Sequence, residues 1–128
     1  LMDFPHNYSA RLHAAAPAGL PRCVARAEDY MSAHARQHVG MADIVAASGV
    51  NARALFAAFR THRAYSPMAF LRARRFELAR ARLLSARHVT VAEVALECGF
   101  EHLGRFSTGY RRRFGEIPTE TLRRARTR

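Results

Sequence analysis

The side chains with the most chemistry to offer are arginines. The 128-residue chain carries 21 basic residues against 10 acidic ones, a formal charge of +11, and all of the basic residues are arginine. A guanidinium is a planar fork of N–H donors that can hold a phosphate, or the O6/N7 edge of guanine, through two hydrogen bonds. A charge so far from neutral points to a polyanionic partner, either nucleic acid or an anionic membrane surface.

Other reactive types are sparse. His34 and His38 have the i, i+4 spacing of two metal ligands, but no third ligand accompanies them, so no metal site is expected. Cys23 and Cys98 match no metal or redox spacing; Cys98 falls on an apolar stripe, where a thiol packs instead of reacting. Ser66 and Thr90 read as helix caps, not catalytic hydroxyls. No catalytic residue and no cofactor are assigned. No apolar run approaches the roughly 20 residues of a membrane-spanning helix, and the first residues lack a signal-like core. The expectation is a cytoplasmic protein with no membrane partner.

The elements that must position the arginines come from an internal repeat, offset by about 50 residues. Met41, Ile44, Val45 and Ser48 precede Gly49, and Val91, Val94, Ala95 and Cys98 precede Gly99, both stripes at helical spacing. One apolar residue follows each glycine, Val50 or Phe100. A second stripe comes next: Leu55 and Phe59 in the first copy, Phe106, Tyr110 and Phe114 in the second. The register slips by one after the glycine, so the second copy holds an extra residue in its turn or its second helix. Each copy therefore reads as helix, tight turn, helix, with Gly49 and Gly99 where the backbone turns left-handed.

Capping signals sharpen the boundaries. Thr90 and Glu93 form a capping box, Asn51 can cap the second helix of the first copy, and Ser66-Pro67 opens a helix running to about Leu84. At 1.5 Å per residue that connecting helix spans roughly 27 Å, the order needed to hold two helices one DNA turn, about 34 Å, apart. A helix from about Leu20 to Arg36 precedes the first copy, turning Val24, Ala27 and Met31 inward, and a last one starts near Pro118. The fold class is all-α: about seven helices forming two helix-turn-helix subdomains joined by a long connecting helix. Its expected parts are a linker or tail of a missing upstream domain over 1–19, the first subdomain over 20–65, the connecting helix over 66–86 and the second subdomain over 87–128.

Taken together, VTVAEVALECGF and HLGRFSTGYRRRFGEIP, within residues 89–118, and SPMAFLRARRFELARARLL over 66–84 resemble the DNA-binding domain of the AraC/XylS transcription regulators. The likeness covers about Leu20 to Arg124 and keeps the family's order and separation of motifs. Ala64 departs from the glycine the family usually has at that helix end, and its repeat partner Gly115 keeps it. Val45 stands for an alanine at a helix crossing, Ile117 for a capping serine and Phe76 for a leucine.

The resemblance implies sequence-specific binding of double-stranded promoter DNA, with recognition helices in successive major grooves. It further implies transcription regulation, usually activation, with RNA polymerase and a missing N-terminal effector-binding or dimerisation domain as partners. Residues off the apolar stripes are the expected base readers: Ala52, Arg53, Phe56 and Ala57 in the first unit, His102, Leu103, Gly104, Ser107 and Thr108 in the second. Phe56 either faces the groove or packs inside. Arg53, near a helix start, suits a guanine edge, while Ala57 and Gly104 permit close approach and contact with thymine methyls. Arg60, Arg63, Arg111, Arg112 and Arg113 are expected to clamp phosphates, with the amides around Thr90 as a further phosphate site. Arg112 and Arg113 have the alternative of a solvated face. Two rival functions are a DNA-repair module with a cysteine acceptor and a non-specific DNA-binding architectural protein.

Overall fold

The computed structural model describes residues 20–127; the expected linker over 1–19 lies outside them. Among the described residues there are seven helices and no strand. In chain order they are α1 (Arg22–His34), α2 (Met41–Ser48), α3 (Ala52–His62), α4 (Pro67–Ser85), α5 (Val91–Glu97), α6 (Leu103–Phe114) and α7 (Pro118–Arg126). The chain divides into two compact units between Arg74 and Arg75, a point inside α4.

In the first unit, α1 packs chiefly on α2 and also on α3. Val24, Ala27 and Met31 of α1, Ile44 of α2, and Leu55 and Phe59 of α3 are all buried. They are the apolar positions whose helical spacing defines the stripes, so burial follows from periodicity. A bend of 83° separates α2 from α3. Gly49 makes that bend possible at φ 84°, where a Cβ is penalised. Asn51 then caps α3, its Oδ1 accepting from the Ala54 amide at 2.9 Å.

The second unit repeats the plan with more aromatic filling. Phe76, Ala79 and Leu83 of α4 share a core with Val94, Ala95, Cys98, Phe106, Tyr110 and Leu122. Phe76 stacks on Phe106 at 5.8 Å between ring centroids and meets Phe100 at 4.7 Å. This leucine-to-phenylalanine departure is matched by Gly109, where a Cβ would come within 2.6 Å of the Phe76 ring. Thr90 and Glu93 form the expected reciprocal cap at the start of α5. The extra residue of the second copy falls in the turn, because Ala52 opens α3 three positions after Gly49 and Leu103 opens α6 four positions after Gly99.

The two recognition-type helices also end differently. α6 closes on Gly115, left-handed at φ 80°, whose amide reaches the Arg111 carbonyl at 2.8 Å. With alanine at position 64, α3 closes one residue earlier on an extended Arg63, whose amide reaches the Phe59 carbonyl at 2.8 Å. At α7 the missing serine costs only half a cap: Ile117 offers no side-chain acceptor, yet Glu120 still accepts from its amide at 3.0 Å.

Candidate nucleic-acid interface

On α3 the buried pair Leu55 and Phe59 fixes the inner face, leaving Ala52, Arg53, Phe56 and Arg60 exposed and Ala57 half-buried. Arg53, Phe56, Ala57 and Arg60 follow one another at i, i+3, i+4 and i+7, so they line one outward face. Phe56 is on that face, 37% exposed, not in the core. On α6, Phe106 and Tyr110 point in, and Leu103, Gly104, Thr108, Arg111 and Arg112 are exposed with Ser107 half-buried. His102, the residue before α6, is exposed and contributes no side-chain cap.

Arg105, exposed in the first turn of α6, joins these residues although it is not among the positions expected from the sequence. Its signal was available: it lies off the Phe106-Tyr110 stripe as plainly as Gly104 does.

Three of the expected phosphate contacts make bonds or ring contacts within the chain itself. Arg63 turns inward and forks onto the buried Glu28 carboxylate, Nη2 to Oε1 at 2.8 Å and Nε to Oε2 at 3.0 Å. Tyr65 donates to the same Oε2 at 2.7 Å. The side chain of Arg63 therefore holds the end of α3 to α1 and is not presented to a phosphate. Arg113 lays its guanidinium over the Phe76 ring, 5.0 Å from the centroid, covering the core instead of reaching outward. At the start of α5 the Thr90 amide donates to the Glu93 carboxylate at 2.8 Å, and the Glu93 amide donates to Thr90 Oγ1 at 3.1 Å. Arg60, Arg111 and Arg112 remain exposed at helix ends.

A polar network does for α6 what Glu28 does for α3. Glu116, just past α6, accepts from Arg124 and Thr121 of α7, with Nη2 of Arg124 at 3.0 Å from Oε2. Arg80 of α4 lies 3.5 Å from the same carboxylate and sits over the Phe114 ring. The bonds from Arg124 and Thr121 hold the Glu116 carboxyl down to about 2. Tyr110 donates to Thr121 Oγ1 at 2.8 Å, and burial raises its phenol above the ordinary value. Both recognition-type helices are thus fastened at their carboxyl ends by charge-assisted hydrogen bonds, leaving their amino-terminal turns and outer faces open.

Chemically the exposed faces suit a polyanionic groove. Among the described residues no group of His, Cys, Asp and Glu could hold a metal ion, and no single helix is long and apolar enough to cross a membrane. Cys98 is 1% exposed, which counts against a thiol acceptor at that position.

Comparison with known proteins bears on these faces. A helix-turn-helix domain family matches residues 44–124. The chain is 40% identical over 125 residues to a probable thc operon regulatory protein of Rhodococcus erythropolis, covering 96% of this chain and 37% of that protein. It is 35% identical over 101 residues to a XylDLEGF operon transcriptional activator of Pseudomonas putida, covering 77% of this chain and 30% of the relative. The chain thus spans about a third of the length of these relatives. A crystal structure of a probable AraC family transcriptional regulator from Rhodopseudomonas palustris matches with TM-score 0.76 and 41% identity, covering 81% of this chain and 97% of that one. A second, from Chromobacterium violaceum, matches with TM-score 0.75 and 26% identity over 85% of this chain and 96% of that one. The repeated unit, the basic outer faces and these likenesses agree: the chain belongs to the AraC/XylS family of helix-turn-helix DNA-binding transcription regulators.

Proposed function

We propose that this chain is the promoter-reading part of a transcriptional activator, binding one asymmetric duplex site through both units. The observation that carries the reading is the repetition: two helix-turn-helix units, each burying one stripe of its second helix and leaving an exposed, arginine-bearing face. A single such helix makes too few base contacts for selectivity; two in successive major grooves multiply them. In this reading Ala52, Arg53, Phe56 and Ala57 meet base edges in one half-site, and His102, Leu103, Gly104, Ser107 and Thr108 do so in the other. Arg60, Arg111 and Arg112, joined by Arg105, hold phosphates and set register. Arg53 is the strongest single reader, its fork matching guanine O6 and N7.

Activation is supported by the Pseudomonas putida relatives, which are XylDLEGF operon transcriptional activators, and it implies RNA polymerase as a partner of the complex. An effector-binding or dimerising domain on the same polypeptide agrees with the small share of each relative that this chain spans. The test is selection of bound fragments from genomic DNA followed by footprinting. The expected result is protection of one asymmetric site of about 20 base pairs on one face of the duplex. Equal affinity for random duplex and the best selected fragment at every salt concentration would instead describe a non-specific architectural protein.

A further inference from the structure

Gly104 is a glycine that the fold does not require. It occupies the second position of α6, with no left-handed backbone; the described glycines with positive φ are 49, 99 and 115. Among the described residues, a Cβ added there would meet nothing within 4 Å. Gly109 on the same helix is different, because a Cβ there would strike Phe76. A glycine within a helix costs stability relative to alanine through its greater backbone freedom in the unfolded chain. At position 104 neither conformation nor internal packing offsets that cost.

Its counterpart in the first unit is Arg53, the second residue of α3. The same helical position thus bears the longest cationic side chain in one unit and none in the other. Beside Gly104 stands Leu103, an apolar side chain left 47% exposed.

We infer that Gly104 and Leu103 form a methyl-sized recess that selects thymine, the α6 backbone coming against the C5-methyl group in the major groove of the second half-site. This rests on the DNA-reading function proposed above and deepens it. The first unit reads by reaching with Arg53; the second reads by close approach, and the missing Cβ leaves room for the base's methyl group. The thymine methyl is the apolar feature of the major-groove edge that such a recess can recognise.

The experiment uses the selected duplex, with deoxyuridine replacing each thymine of the second half-site in turn, titrated with the unsubstituted chain and with Gly104→Ala. Loss of one buried methyl predicts about fourfold weaker binding of the unsubstituted chain at a single uracil position. Gly104→Ala is expected to raise the Tm by a few degrees while weakening the thymine duplex about tenfold, as an added methyl overfills the recess. At the sensitive position uracil should then cost the variant nothing, because the alanine methyl takes the vacated space. Indifference of the unsubstituted chain to uracil at every position, or unchanged affinity of Gly104→Ala, overturns the inference while leaving the DNA-reading function standing. Absence of any selected site overturns both.

Discussion

At the scale of single residues, arginines of identical type fall into different jobs, and the partner each one finds decides which. Arg53 has its side chain in solvent on a helix face, so Arg53→Ala should cost about 1–3 kcal/mol against the preferred base and flatten selection at that position alone. Arg63 is spent on Glu28. Glu28→Gln removes the counter-charge of a guanidinium that is only 13% exposed and should destabilise the fold by about 3 kcal/mol, read by urea denaturation. An unchanged denaturation midpoint would show that the pair contributes nothing. Arg113→Ala should likewise lower stability by uncovering Phe76, with no change in the salt dependence of DNA binding.

At the scale of elements, the recognition-type helices are held by their ends. Asn51→Ala removes the side-chain acceptor at the start of α3 and should cost about 1 kcal/mol, measured by thermal unfolding. The Glu116 network fastens α6 to α7 and makes a pH prediction. Folding lowers this carboxyl from its ordinary 4.5 to about 2, so its stabilisation is complete above the unfolded value and is lost as the pH falls between them. The Tm should therefore drop across pH 4.5 to 2, and Glu116→Gln should flatten that part of the profile while lowering the plateau above it. Periodicity placed these helices, and Asn51 marked the start of α3, whereas α6 begins without a side-chain cap. How α3 ends was less legible: alanine stands at position 64 where the family usually has glycine, and the chain goes extended one residue earlier, at Arg63.

At the scale of the whole molecule, a charge of +11 makes salt the natural probe. Deleting a side chain that neutralises one phosphate should reduce the slope of log K against log salt by about 0.9. Arg60→Ala, Arg111→Ala and Arg112→Ala should each show that change on every sequence tested, and Arg63→Ala should not. A slope change for Arg63→Ala would return it to the phosphate-binding set.

The sequence by itself determined the helical class, the repeat, the turn glycines and the inward stripes, because all of these follow from local spacing and backbone sterics. It also marked the outer faces of α3 and α6, since a helix with one apolar stripe must expose its opposite side. Only the tertiary structure decided how individual charges are used. Arg63 meets a glutamate 35 positions away, and Arg113 meets a ring on another helix. A guanidinium's role depends on which acceptor or ring folding brings within reach, and sequence spacing carries that information only within a few helical turns.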